Sequence, residues 1–180
     1  MIGFEIVDEA PHHVALRENL LDRVMGEIRF RRSSERIREG RMPSEGLARI
    51  AVSEEGKVLG TVRLWDAAAG GLRGAVMLGP LAVEPDLKGQ GIGQALMRDA
   101  IGRAGALGRS AIVLVGDAEY YCRFGFSAHA ARRLAMPGPF ERHRLLALEL
   151  QRGALDRAHG TLKPTGNRLE ELPVALPIAV

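Results

Sequence analysis

A chain of 180 residues, 46% hydrophobic and 26% charged, fits one soluble globular domain and excludes disorder along its whole length. It has no run of about 18 apolar residues, which excludes a membrane-spanning helix. The net charge of +3 is too small to argue for nucleic acid, but 22 of the 25 basic residues are arginine, whose planar fork favours oxyanions.

In chain order, residues 4–7 are predicted as a short strand. After Pro11, the apolar residues Val14, Leu16, Leu20, Leu21, Val24, Met25 and Ile28 recur at helical spacing. Residues 29–41 hold six arginines beside Glu35 and Glu39. They read as an exposed helix or loop ending near Gly40-Arg41-Met42-Pro43, a solvated face whose functional version would be recognition of an acidic acceptor. Residues 47–52 and 57–65 flank Ser53-Glu54-Glu55-Gly56, a turn composition, and predict a β-hairpin. Residues 66–74 read as a loop of small residues. Residues 75–83 form an apolar run suited to a central buried strand, in which Gly79-Pro80 marks a bulge or a break in the ladder.

Residues 84–90 read as a loop. A helix is predicted from Gly91 to about Ala106, with Ile92, Ala95, Leu96, Ile101 and Ala104 on one side and Gly108 as its stop. Residues 110–115 suit a parallel strand after a crossover helix. Asp117 is expected to cap a short helix through Arg123, Gly125-Phe126 to turn into a strand region, and residues 143–150 to form a further strand. Beyond Gln151 the pattern fades. Residues 151–180 are expected as a C-terminal extension or tail packed on the domain built by residues 1–150. The order predicts a mixed α/β fold with one parallel crossover in the middle.

The stretch that carries chemistry runs from Leu78 through Lys88-Gly89-Gln90-Gly91-Ile92-Gly93-Gln94 to Leu96. A buried strand enters a glycine-rich loop, and the loop opens an amphipathic helix. Glycines there strip side chains from the first turn, so free N–H groups and the helix dipole can meet an anion such as a phosphate or pyrophosphate. The spacing Gly-x-Gly-x-Gly after several strands is not the Gly-x-Gly-x-x-Gly of a dinucleotide-binding fold, and the Gly-Lys-Ser/Thr of a P-loop is missing. A plain strand-to-helix turn without ligand stands as the rival reading of the glycines alone.

Residues 78–96 resemble the acetyl-CoA-binding motif of the GNAT superfamily of N-acetyltransferases, Gln/Arg-x-x-Gly-x-Gly/Ala. Leu-Gly-Pro-Leu-Ala-Val before it is similar to a predicted bacterial, YhbS-like branch. Downstream, Tyr121-Cys122-Arg123-Phe124-Gly125-Phe126 resembles the superfamily's Tyr-x-x-x-Gly-Phe signature, in the expected order. The resemblance covers residues 47–126. It implies a GNAT-like fold, an α/β mixed sheet with a central bulged, splayed strand pair and a crossover helix. It implies a transferase, an acyltransferase that uses acetyl-CoA as co-substrate and no metal.

By that resemblance, backbone groups at Leu81, Ala82 and Val83 hold the pantetheine arm as an added strand would, and an N–H near Leu81 polarises the thioester carbonyl. Lys88, Gly89, Gln90, Gly91, Ile92, Gly93 and Gln94 hold the pyrophosphate, mainly through backbone. Lys88 departs from the usual Gln or Arg: it keeps positive charge but lacks the bidentate fork. Tyr121 is the implied general acid for the departing thiolate, and its neighbour Tyr120 is expected to pack. The base is not assigned. Glu84 reads as a surface charge, Trp65 as a core or hairpin aromatic, Cys122 as a small packing residue. His12, His13, His129 and His143 form no spaced metal pair.

The implied function is direct acetyl transfer to a primary amine of a small molecule or a peptide or protein. The alternative is a non-enzymatic acyl-CoA-binding or regulatory module on the same fold. The lack of regular aromatic interleaving in the arginine run, where Phe30 stands alone, counts against a nucleic-acid-binding reading of the basic pI. A single cysteine and a start without a basic-then-apolar leader set the expected place as the bacterial cytoplasm. The expected partners are an amine acceptor and a second copy in a homodimer, with no nucleic acid and no membrane.

Overall fold

A computed structural model describes residues 3–169; residues 170–180 of the expected tail lie outside the described residues. Strand β1 (Phe4–Asp8) pairs antiparallel with β2 (Ala48–Ser53), and β2 with β3 (Val58–Gly70). Strand β4 (Leu72–Val83) returns antiparallel along β3, and its start runs parallel to β5 (Ala111–Val115). Helix α3 (Ile92–Ala106) makes the crossover between those two parallel strands. It follows α1 (Val14–Met25) and the single turn α2 (Glu35–Arg38). Next come α4 (Ala118–Tyr121), β6 (Leu134–Ala135), β7 (Leu145–Glu149), antiparallel to β5, and β8 (His159–Pro164). The expected mixed α/β fold with a central crossover is thus present, in an eight-stranded sheet.

Alternation along the strands sorts side chains to two faces. Ala51, Leu59, Leu78, Leu114 and Leu146 pack with Ile92, Leu96 and Met97 of α3. Their neighbours Ile50 and Val58 pack with Leu20 and Leu21 of α1, and Met77, Val113 and Leu145 join a third cluster away from α3. Leu96 and Met97 are fully buried, and each contributes about 1.5–3 kcal/mol of apolar burial.

Three predicted boundaries change. The first helix stops at Met25 because Gly26 takes φ 61°, and Ile28 falls in an exposed turn. Residues 66–74 are strand rather than loop, with a tight turn only at Gly70-Gly71. Small residues are needed there because β8 lies against this end of β3, pairing Ala67 with Pro164 and Gly70 with His159. A side chain at Gly70 would run into the His159 ring. Phe126 ends in the core, and the strand expected near it shrinks to a lone bridge between Ser127 and Ala147.

Much of the arginine is spent inside the fold. Glu9, with only 4% of its side chain exposed, receives Arg17 at 3.2 Å and, from the other side, Arg63. Arg49, 2% exposed, bridges Asp8 and Asp99, the latter at 2.7 Å. Arg109 meets Asp66 at 2.8 Å.

Candidate active site

Strands β4 and β5 touch only at Val76–Ile112 and Met77–Val113, then part. The cause lies on the other side of β4. Val62 pairs with Leu81 but Leu64 with Leu78, so Gly79 and Pro80 together face Arg63 and form a bulge. Trp65 fixes it: the indole Nε1–H donates to the Gly79 carbonyl at 2.6 Å. Beyond the bulge the β5-side edge of β4 is open. The Glu84 N–H donates across to the Leu59 carbonyl at 2.9 Å. Because strand groups alternate, Ala82 also faces β3, and the backbone groups of Leu81 and Val83 point to the open edge.

Two cavities meet over this wedge. The first, about 370 Å³, is walled by Leu81, Ala82, Val83, Lys88, Gly89, Gly91, Ile92, Gly93 and Gln94, with Tyr120 and Arg123 opposite. At its floor α3 begins. Gly91 sits at φ 85°, and the first turn leaves the N–H groups of Ile92, Gly93 and Gln94 without intrahelical carbonyls. A 15-residue helix carries a full positive dipole end at this point. A phosphate-bearing ligand therefore fits: the donors are backbone, unscreened by side chains, and Lys88 adds charge at the rim. Gln90 alone of the predicted loop residues lies off the cavity wall, its N–H turned to the Leu87 carbonyl.

The second cavity, about 390 Å³, shares Leu81 and Tyr120 with the first and is lined further by Gly79, Pro80, Gly116, Asp117 and Tyr121. Tyr121 stands on the last turn of α4, capped by Asp117, whose Oδ1 accepts the Glu119 N–H at 3.1 Å. Burial, then the nearby Tyr120 hydroxyl, pushes the Tyr121 phenol up to about 12. Tyr120 and Tyr121 meet edge-on with ring centres 4.9 Å apart; Tyr120 packs on the core as expected, but so does Tyr121, and both border the cavity. Gly116 lies directly beneath: a Cβ there would collide with Cε2 of the Tyr121 ring. Gly116→Ala is expected to shift that ring, lowering turnover while cofactor affinity is kept; unchanged steady-state kinetics would rule out the link.

The far wall is basic, with Arg29, Arg32, Arg38 and Arg144. Among the described residues no three His, Cys, Asp or Glu side chains gather as a metal site would need.

The family model of the acetyltransferase (GNAT) domain matches residues 46–128, which hold both the glycine loop and Tyr121. An uncharacterized N-acetyltransferase of Escherichia coli, YhbS, is 35% identical over 106 residues, 55% of this chain and 63% of the relative. The crystal structure of the Escherichia coli GNAT family N-acetyltransferase YhbS in complex with CoA superposes with TM-score 0.78 at 26% identity, over 92% of this chain and 91% of that one. A GNAT family acetyltransferase from Brucella melitensis in complex with acetyl-CoA gives TM-score 0.56 at 26% identity, over 83% and 97%. Residues 46–128 thus match the GNAT acetyltransferase domain, and the chain shares the fold of the YhbS acetyltransferase. It spans 63% of the length of the curated YhbS relatives it matches.

The bulge, the splayed pair and the glycine loop stand where the resemblance implied them. Other expectations change. Cys122 is exposed, with its Sγ toward the Glu119 carbonyl at 3.3 Å, and does not pack. Glu84 is no solvated charge: its carboxylate is mostly covered and ion-paired with Arg23. His13 is buried and accepts the Ala10 N–H at 3.0 Å, closing the turn before α1. The arginine run is a solvated face only in part: Arg31, Arg32 and Arg36 are exposed, while Arg29 is buried against Glu18 and Asp22. Trp65 was legible as a core aromatic, but its bond to the bulge was not.

Proposed function

We propose that this chain is an acetyl-CoA-dependent N-acetyltransferase that moves the acetyl group directly to a primary amine of a small molecule or a peptide or protein. The observation that carries the reading is the continuous groove from the glycine-rich start of α3, past the open edge of β4, to Tyr121. The YhbS and Brucella structures hold CoA and acetyl-CoA, which supports the same cofactor here.

Acetyl-CoA supplies the acetyl group activated as a thioester. The N–H groups of Gly89 and of Gly91 to Gln94, with the Lys88 charge, bind the pyrophosphate, while Gln90 shapes the loop. The outward backbone groups of Leu81 and Val83 align the arm as a borrowed strand, and the Leu81 N–H stabilises charge on the carbonyl oxygen. Tyr121 donates its hydroxyl proton toward the leaving sulfur. Glu84 is held by Arg23, and Asp117 is occupied as a cap. The cationic wall disfavours an ammonium, so the acceptor amine is held in its neutral, nucleophilic form without a dedicated carboxylate base. The same reading carries a bacterial cytoplasmic setting and a homodimer, without nucleic acid or membrane.

CoA at a hundredfold excess over its Kd is expected to raise the melting temperature by about 5–10 °C. Thiol release from acetyl-CoA should then depend on an added amine. No shift at millimolar CoA overturns the cofactor site; a shift without thiol release for any amine favours the binding-module reading.

A further inference from the structure

The cavity beside Tyr121 does not end at its arginine wall. It opens into a second space of about 450 Å³, and Arg32, Ser34, Val115 and Arg144 line both. We propose that Arg32, Ser34 and Arg144 form an anion-binding subsite that selects acceptor amines bearing an oxyanion, a carboxylate or a phosphate. The proposal rests on the acetyltransferase reading above and names its substrate class.

The contrast between half-buried Arg144, with exposed Arg32 beside it, and the buried arginines carries the inference. Arg17, Arg29 and Arg49 are buried, and each meets carboxylates. The Arg144 guanidinium is half-buried, and its Nε is shielded from solvent without an acceptor among the described residues. Neither Arg144 nor Arg32 has a carboxylate partner among those residues, and the Ser34 hydroxyl caps nothing. Burying an unmet charged donor is costly, and an oxyanion meets it with the forked geometry that guanidinium prefers.

The neighbouring arginines hold the pair in place rather than compete for the ligand. Arg29, 9% exposed, is anchored at 2.6 Å by Glu18 and 2.7 Å by Asp22, yet its Nε is also left without an acceptor among the described residues. Arg38 is tied to Glu35 at 2.7 Å. Burial, and the charges of Arg29 and Arg32, press the Arg38 guanidinium downward against the pull of Glu35. Positive charge therefore converges on one wall. Two carboxylates border the joined space. Asp117 is engaged by the Glu119 N–H, and Glu141 is 63% exposed and turned to His143 at 3.4 Å. A cavity of this size takes a metabolite, with its amine toward Tyr121 and its acid group toward Arg144.

The test uses matched acceptors: an α-amino acid against its amide, and phosphoethanolamine against ethanolamine. The acid-bearing member of at least one pair is expected to show kcat/KM higher by about 10- to 100-fold. That preference, read as the ratio of kcat/KM within each pair, should vanish in Arg32→Gln/Arg144→Gln whatever happens to the turnover of the neutral member. Equal use of both members, or a preference the variant keeps, overturns the subsite. If no amine releases thiol, the activity reading fails by itself. The subsite is then judged by titrating the CoA-saturated protein with succinate and with inorganic phosphate. Saturable binding lost in the variant supports it, and its absence, or its persistence in the variant, sinks it. Melting curves with CoA confirm that the variant is folded.

Discussion

Tyr121→Phe is expected to lower kcat by about 10²- to 10⁴-fold while the affinity for CoA stays within twofold or so. The ring fills the same space over Gly116, and only the hydroxyl is lost. The hydroxyl has no hydrogen-bond partner among the described residues, so its removal leaves no buried group stranded and the fold should melt as before. A phenol near 12 lies roughly 3–4 units above a thiol, so full proton transfer to sulfur is uphill by about 5 kcal/mol. Its contribution is therefore a hydrogen bond that strengthens as charge builds on the leaving sulfur, completed by the proton the amine gives up. The folded-state value lies above the ordinary value of about 10. The neutral phenol is present throughout the working range, and the stability tied to it is full below about pH 10 and lost as pH rises from there through about 12. The alkaline limb of kcat should thus be free of Tyr121 below about pH 10. An unchanged kcat in the phenylalanine variant would remove Tyr121 from the mechanism.

Replacing Glu9 has the largest expected effect on stability. Its carboxylate is buried between Arg17 and Arg63, and Glu9→Gln leaves Arg63 without a counter-charge and Arg17 with Glu18 alone. Breaking such a pair from one side costs about 3–5 kcal/mol. With a denaturant slope of about 2 kcal/mol per molar, the urea midpoint should fall by more than about 1 M. The damage should spread to the site, because Arg63 lies over the Trp65 ring at 5.7 Å and Trp65 holds the bulge at Gly79. A midpoint within about 0.2 M of the unaltered protein would show that the pair contributes nothing net.

What the sequence made legible was local. A strand, a bulge at Gly79-Pro80, a glycine loop and a helix are contiguous, and their physics is set by neighbours in the chain. Tyr121 was singled out by the resemblance to the Tyr-x-x-x-Gly-Phe signature, and it borders the cavity. What escaped was decided at long range. Residues 66–70 pair locally with β4 across the turn at Gly70-Gly71, but their other edge is covered by a partner nearly a hundred residues away, and strand β8 itself buries little beyond Leu162. An alanine-rich run and an exposed strand carry no periodic signal. The arginine run looked solvated because its acids sit on another helix: Glu18 and Asp22 on α1 reach Arg29 only after folding. Cys122 looked like a packing residue by type, yet its place on the outer side of the turn exposes it.

The late pairing of β8 with β3 bears on how the chain is made. While the ribosome is still delivering residues 159–164, the distal half of β3 presents an unpaired edge. Such an edge invites wrong partners, most strongly when it is rich in β-branched residues. Here the waiting stretch is Ala67-Ala68-Ala69-Gly70, among the weakest strand formers. It is a poor template for a neighbouring nascent chain, and becomes a good strand only when its own late partner arrives to close over it.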